Sequence, residues 1–111
     1  MDDCLFCRLV AGEIPATVVR ETDDTLAFRD ISPKAPVHVL VVPRAHHADV
    51  GALVAADPGL AARVVAEAAA VAAGEGIGGA WRLVFNTGAA VGQTVFHVHA
   101  HVLGGGPIEA L

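Results

Sequence analysis

Positive charge and aromatic residues are scarce in this chain, and long uninterrupted apolar runs are absent. Its 111 residues contain one lysine and six arginines against twelve acidic residues, for a formal net charge of -5, and only 5% of the residues are aromatic. Without a basic cluster or a series of stacking aromatics, we expect no nucleic acid polymer as a partner. The most apolar long run, 59–73, is interrupted by Arg63 and Glu67, and so predicts a packed helix rather than a membrane span.

Cysteine is also rare, and the chain shows no sign of an export signal. There are two cysteines, and the first residues, Met1, Asp2 and Asp3, are acidic rather than basic. We therefore expect a cytoplasmic protein with reduced thiols and no membrane association. The length and the 54% hydrophobic content predict a single folded domain over residues 1–111.

The most informative stretch is 96–103, which reads Phe-His-Val-His-Ala-His-Val-Leu. His97, His99 and His101 alternate with apolar residues, a pattern typical of a β-strand. On a strand the three imidazoles would line one face, with neighbouring Cβ atoms about 6–7 Å apart. Such a row can bind a metal, hold an anion or supply a nucleophile beside an acid.

The two cysteines form a C-x-x-C pair at the start of a predicted short helix. Cys4 and Cys7 flank its first turn, Gly12 can end it, and Pro15 prevents its continuation. Three interpretations remain open at this point. A redox pair would need a βαβ context, which is absent here; the others are two buried thiols, or half of a tetrahedral zinc site completed by histidines.

Alternation and turn residues predict four further strands and one longer helix. The helix begins with Asp57 as N-cap and Pro58 in its first turn and runs to about residue 73, because this pair is a typical helix start. Its apolar face predicts packing against a sheet. The predicted strands lie at 17–21, 25–30, 37–42 and 81–86.

Several polar residues in this framework have both a structural and a functional interpretation. Asp30 ends a strand before a proline-containing loop, where it is either a turn cap or an acceptor for ligand hydroxyls. His38 lies in an otherwise apolar strand and is either a core histidine or a site residue. The loop 87–94 is rich in small residues, which let backbone N–H groups approach a phosphate. Its candidate ligand contacts, with those of the strand before it, are Asn86, Gln93 and Thr94.

Together these motifs resemble the histidine-triad (HIT) superfamily, and most closely its Hint nucleotide-binding branch. Residues 97–103 resemble the H-φ-H-φ-H-φ-φ signature, and segments 4–15, 26–33, 35–43 and 92–96 match in the same order. The resemblance implies an α+β fold with a mainly antiparallel sheet of about five strands, one longer helix and a short N-terminal helix. It also implies a homodimer whose sheet continues across the interface.

The resemblance implies a hydrolase or transferase acting at the α-phosphate of a purine nucleotide, such as AMP or an adenosine phosphoramidate. His99 would be the nucleophile and form a covalent nucleotidyl-histidine, with its other ring nitrogen held by the backbone carbonyl of His97. His101 would donate a hydrogen bond to the phosphate, and His38 would support the triad strand. The nucleotide contacts would be Asp30 at the ribose, Asn86, Gln93 and Thr94 near the phosphate, and Phe6, Leu9, Phe28 and Ile31 around the base.

The resemblance also implies a structural zinc ion bound by Cys4, Cys7, His46 and His97, with His47 as the competing ligand. Two thiolates and two imidazoles make a closed tetrahedral site. Two alternative functions remain at this stage. One is hydrolysis of dinucleoside polyphosphates, and the other is a zinc-stabilised nucleotide-binding or interaction module with little turnover.

Overall fold

A computed structural model describes residues 3–110 of the chain. The ends of the predicted 1–111 domain, Met1, Asp2 and Leu111, lie outside the described residues. The elements, in chain order, are helix α1 (Leu5–Val10), strands β1 (Val18–Glu21), β2 (Thr25–Arg29) and β3 (Val37–Pro43), helices α2 (Val50–Ala56) and α3 (Pro58–Gly74), strand β4 (Trp81–Val84), a single 3₁₀ turn (Ala89–Val91) and strand β5 (Ala100–Gly104).

The five strands form one antiparallel sheet in the order β1-β2-β3-β5-β4. Strand β3 lies at its centre and is buried along nearly its whole length, as expected for a run that is apolar on both faces. Within the described residues, β4 pairs only with β5 and forms one edge. These observations confirm the predicted α+β class and the five-stranded antiparallel sheet.

Helix α3 covers one face of the sheet and creates the larger core. Asp57 caps the helix by accepting a hydrogen bond from the backbone N–H of Leu60 at 3.0 Å, so the predicted helix start is confirmed. Branched and small side chains of β3 and β5 pack against the apolar stripe of α3 because alternate strand residues share one face. The core residues of this layer include Val39, Val41, Val64, Ala68, Val71, Ala100 and Val102.

Helix α1 covers only part of the opposite face. It is confirmed at the predicted residues, and Gly12 follows it with φ +80° and donates its N–H to the Leu9 carbonyl at 3.1 Å. This left-handed position favours glycine. The smaller core beneath α1 contains Phe6, Leu26, Phe28, Leu40 and Val42. The rest of this face, where β3 and β5 carry their histidines, is left open.

The prediction that all three histidines lie on one strand is wrong for part of the stretch. Strand β5 begins only at Ala100, so His97 and His99 precede it. The pairing of β5 with β3 ends at Val41 and Ala100, two residues before Pro43, which lacks an N–H to continue the ladder. The backbone N–H of Val98 instead donates to the carbonyl of His47 at 2.7 Å, and the chain bends there.

Helix α2 has no counterpart in the sequence prediction. It begins at Asp49, whose side chain accepts a hydrogen bond from the N–H of Ala52 at 2.9 Å, and Leu53 is its buried contact with the core. No helix within residues 3–110 has the length and apolar character needed to cross a membrane.

Candidate functional site

The open face of the sheet, helix α1 and the loops around them enclose a cleft of about 1140 Å³. One end is apolar, where the rings of Phe6 and Phe28 meet edge to face with centroids 5.4 Å apart. His99 and His101 also line the cleft, and the ring of His99 lies directly beside that of Phe6. The volume is slightly above the range of about 300–1000 Å³ that is typical of small-molecule sites. The cleft therefore offers an apolar pocket for a flat ring beside a group of imidazoles.

His99 is held in one tautomer at the floor of this cleft. Its Nδ1 lies 2.9 Å from the backbone carbonyl of His97, and because a carbonyl can only accept, Nδ1 carries the proton. The Nε2 atom therefore keeps its lone pair. The ring of Phe6 packs edge to face on His99 with centroids 5.1 Å apart, which fixes the imidazole plane. The expected hydrogen bond from His99 to the His97 carbonyl is confirmed.

His38 and His101 form a second pair of imidazoles beside His99. The Nε2 of His38 lies 2.9 Å from the Nδ1 of His101 and 3.5 Å from the Oδ2 of Asp30. Burial, followed by the positive charge of nearby imidazoles, lowers the pKa of His101 from 6.5 to about 4. The ring of His101 is therefore neutral near pH 7, and its buried Nε2 has no hydrogen-bond partner in the described chain.

The lowered pKa of His101 predicts that acid destabilises the fold. Between about pH 6.5 and about pH 4 the unfolded chain binds a proton that folded His101 does not, so stability is complete above this window and decreases as pH falls through it. We expect the decrease to be smaller in His101→Gln, measured as unfolding midpoints at several pH values. Equal decreases in both proteins would contradict the prediction. Both proteins keep Cys4 and Cys7, so any effect of acid on the thiols is common to them and cancels in the comparison.

Most of the predicted ligand residues lie around the cleft. Asp30 is a turn cap, because its Oδ1 accepts from the N–H of Ser32 at 2.7 Å, and its Oδ2 lies 3.5 Å from the Nε2 of His38. Ile31 lies at the rim with its side chain 99% exposed, so it packs on nothing unless a ligand covers it. The remaining predicted contacts that line the cleft are Phe6, Leu9, Phe28, Asn86 and Thr94.

Gln93 does not line the cleft, contrary to expectation. Its side chain is buried, and its Oε1 accepts from the N–H of Gly88 at 2.9 Å. Its Nε2 donates to the carbonyls of Ala48 at 2.7 Å and Val95 at 3.1 Å. Because these bonds use both ends of the amide, Gln93 holds the loop before the histidines in place.

The two cysteines and two histidines converge on one point at the end of helix α1. The Nδ1 of His97 lies 3.6 Å from the Sγ of Cys4 and 3.5 Å from the Sγ of Cys7, and the Nδ1 of His46 lies 3.3 Å from the Sγ of Cys7. All four atoms lie within 4.8 Å of one another. A tetrahedral zinc ion with normal bond lengths places sulfur and nitrogen ligands about 3.6 Å apart. The group therefore fits such an ion.

The surroundings of this Cys/His group favour metal binding further. The Nε2 of His97 lies 2.8 Å from the carbonyl of Pro43, and because a carbonyl only accepts, the Nδ1 that faces the cysteines keeps its lone pair. His46, not His47, provides the second imidazole. Burial, followed by the hydrogen bond and charge of Cys4, raises the pKa of Cys7 to about 11. A metal ion must therefore displace that proton.

The Cys/His group and the cleft share two structural elements. The ring of His97 belongs to the group, while its carbonyl holds His99. Helix α1 carries Cys7 in its first turn and also Phe6, which packs on His99. A bound metal ion would thus fix both supports of the His99 ring.

Some cleft residues were absent from the sequence-based candidates. Arg82 and Val84 of β4, Leu40 of β3 and Leu103 of β5 also line the cleft. The signal that could have found them is the period of two, because each is two residues from, or paired across strands with, another cleft residue. Val84, for example, pairs with His101, and Arg82 pairs with Leu103.

Comparisons with known proteins agree with this fold. The model of the HIT domain family matches residues 11–108. An uncharacterised HIT-like protein of Synechocystis is 47% identical over 108 residues, covering 97% of this chain and 95% of its own. A 14 kDa zinc-binding protein of Brassica juncea is 39% identical and covers 93% of each chain. The crystal structure of a HIT family hydrolase from Legionella pneumophila superposes with a TM-score of 0.92 at 44% identity, covering 96% of each chain. Because the family model matches most of the chain and these relatives are similar over nearly their full lengths, the chain belongs to the HIT domain family.

Proposed function

We propose that the protein hydrolyses purine nucleoside phosphoramidates through a covalent bond between His99 and the α-phosphorus. The observation that carries the proposal is the hydrogen bond from His99 to the His97 carbonyl at 2.9 Å, which leaves the Nε2 lone pair free at the cleft floor. A neutral imidazole is a competent nucleophile near neutral pH. The similarity to the Legionella HIT family hydrolase supports a hydrolytic reaction.

The lining of the cleft matches the parts of a nucleotide. The apolar end, with Phe6 and Phe28, suits a purine base, and Ile31 at the rim would be covered by it. Asp30 can accept hydrogen bonds from ribose hydroxyls through Oδ2. His99 and His101 then face the α-phosphate. The volume of about 1140 Å³ leaves space for a leaving group beyond the phosphate.

The proposed reaction has two displacements at phosphorus. In the first, the Nε2 of His99 forms a bond to the α-phosphorus, the phosphorus–nitrogen bond of the protonated phosphoramidate breaks, and the amine departs neutral. The proton stays on Nδ1, which keeps donating to the His97 carbonyl, and the carbonyl stabilises the positive charge of the imidazolium in the intermediate. In the second, water attacks phosphorus and loses a proton to solvent, the bond to Nε2 breaks, and the nucleoside monophosphate leaves. His101 donates a hydrogen bond to the phosphate in both steps.

We also propose that zinc is the ion of the Cys/His group and that its role is structural. Four protein ligands, Cys4, Cys7, His46 and His97, complete a tetrahedron and leave no position for substrate. The ion would stabilise the contact between helix α1 and the segment that carries His99. The similarity to the Brassica zinc-binding protein supports this choice of metal. Because the thiols must stay reduced to bind zinc, the proposal places the protein in the cytoplasm.

A second copy of the chain is the proposed partner at the sheet edge. Strand β4 pairs only with β5 in the described part of the chain, so its outer N–H and C=O groups are available for another strand. Pairing β4 with its copy would extend the sheet across a homodimer.

Intact-protein mass spectrometry tests the covalent mechanism. We expect a transient mass increase of one nucleoside monophosphate when the zinc-loaded protein is mixed with an adenosine phosphoramidate and quenched without acid. The adduct should be absent in His99→Ala. Failure to consume either the phosphoramidate or a diadenosine polyphosphate over hours would contradict the proposal and favour a binding module. Faster consumption of the diadenosine compound would favour dinucleoside polyphosphate hydrolysis.

A further inference from the structure

We propose that the backbone N–H of Lys34 sets the tautomer of His101 through His38, which makes Lys34 a positioning residue. The effect on catalysis rests on the proposed function. The tautomers themselves follow from the hydrogen-bond chain alone. This chain runs from the proline-containing loop 31–36 to the cleft beside His99.

The first link fixes the proton of His38. The N–H of Lys34 lies 3.0 Å from the Nδ1 of His38, and a backbone N–H can only donate. Nδ1 must therefore be the unprotonated nitrogen, and neutral His38 carries its proton on Nε2. The ring is neutral because burial, the largest effect, lowers its pKa below 6.5.

The second link makes the proton position of His101 depend on that of His38. The Nε2–H of His38 faces two acceptors, the Nδ1 of His101 at 2.9 Å and the Oδ2 of Asp30 at 3.5 Å. A carboxylate only accepts, so Asp30 favours the same proton position. Because the Nδ1 of His101 receives this hydrogen bond, the proton of neutral His101 lies on Nε2.

The last link is the contact between His101 and the substrate. The Nε2 of His101 is buried and has no partner within residues 3–110, which is unfavourable for a polar atom. The ring centroid of His101 lies 4.9 Å from that of His99. A phosphate oxygen bound at His99 would supply the missing acceptor. The chain thus prepares a donor before the substrate arrives, as transition-state stabilisation requires.

The opposite arrangement would remove this donor. If His38 carried its proton on Nδ1, that proton would face the N–H of Lys34 directly. The Nε2 of His38 would then accept from His101, and the Nε2 of His101 would hold a lone pair that repels phosphate oxygens. The Lys34 N–H excludes this state. Its position depends on the loop, where the Oδ1 of Asp30 bonds to Ser32 and the Nζ of Lys34 donates to the Ser32 carbonyl at 2.7 Å.

Long-range ¹H–¹⁵N correlation spectra of the zinc-loaded wild type near neutral pH test the assignment directly. We expect both His38 and His101 to show an unprotonated Nδ1 and a protonated Nε2. A protonated Nδ1 in either ring would overturn the proposal, whatever the activity. Expected tautomers in a protein that hydrolyses no phosphoramidate would contradict the proposed function and leave the hydrogen-bond chain standing.

A pair of substitutions tests the role of the Lys34 N–H. Lys34→Pro removes the N–H, and Lys34→Ala keeps it; both lose the bond from Nζ to Ser32, so they differ in the backbone donor. We expect Lys34→Pro to populate the other tautomers and to lower kcat at least about tenfold relative to Lys34→Ala, with KM changed less. Wild-type tautomers and kcat in Lys34→Pro would overturn the proposal. If this variant fails to fold, the wild-type spectrum decides.

Discussion

Replacing His99 with alanine is expected to reduce the hydrolysis of an adenosine phosphoramidate on the order of 10⁴-fold or more. The variant loses the only cleft nitrogen that is held by the His97 carbonyl with its lone pair free. His101 cannot replace it, because its Nδ1 is engaged by His38 and its Nε2 carries the proton of the neutral ring. Single-turnover and steady-state rates on the same substrate measure the loss.

Affinity for the product AMP separates lost chemistry from a lost site. We expect the dissociation constant of His99→Ala, measured by calorimetry, to stay within roughly threefold of wild type, since the apolar end and Asp30 are untouched and one neutral hydrogen bond contributes modestly. His47→Ala is the matched control. It also removes one imidazole, but the His47 side chain has no hydrogen bond in the described residues and only its carbonyl is used, by Val98. Wild-type turnover in His99→Ala would contradict the nucleophile assignment.

The parts of the structure that the sequence predicted are those with local physical causes. Alternation with a period of two located the strands, and the Asp57-Pro58 pair located the start of α3, because a helix cap depends on a side chain and an N–H three residues apart. The hydrogen bond from His99 to the carbonyl two residues earlier is equally local. These features need no knowledge of distant segments.

The parts that sequence reasoning missed depend on distant backbone atoms. The ring of His97 turns away from the cleft because it bonds to the Pro43 carbonyl, 54 residues away. The side-chain amide of Gln93 donates a hydrogen bond to the Ala48 carbonyl, 45 residues away. No spacing rule reports such partners. The choice of His46 over His47 came from the family resemblance, and the structure brings His46 to Cys7. Helix α2 was not predicted, because its single buried residue, Leu53, does not produce an apolar stripe in the sequence.

The site is therefore better described as two linked clusters than as a row of three imidazoles. His97 belongs by its ring to the Cys/His group and by its carbonyl to His99. His101 belongs to the chain from Lys34 through His38. Each neighbour of His99 thus has a different role: the carbonyl of His97 fixes the tautomer of His99, the proposed nucleophile, and His101 is the proposed donor to the phosphate. A substitution in the Cys/His group should therefore affect the proposed reaction through His97, whose carbonyl holds His99.

Replacing Cys7 with serine is expected to abolish stoichiometric zinc binding and to lower the melting temperature by more than about 10 °C. Cys7 is the ligand that contacts both imidazoles, at 3.3 Å to His46 and 3.5 Å to His97, so its loss opens the tetrahedron. Structural zinc contributes its binding free energy to folding, and α1 has only six residues, too few to be stable without tertiary contacts. Metal analysis and thermal unfolding of the same samples measure both effects.

The activity of Cys7→Ser should fall together with its zinc content, because α1 also holds Phe6 against the ring of His99 with centroids 5.1 Å apart. We expect kcat of Cys7→Ser to decrease more than KM increases, since the apolar part of the cleft remains while the nucleophile loses its fixed orientation. His47→Ala, which retains all four candidate ligands, should bind one zinc ion per chain and melt like the wild type. A Cys7→Ser protein with full zinc content, or one without zinc that melts and turns over like the wild type, would show that the Cys/His group is not what supports His99.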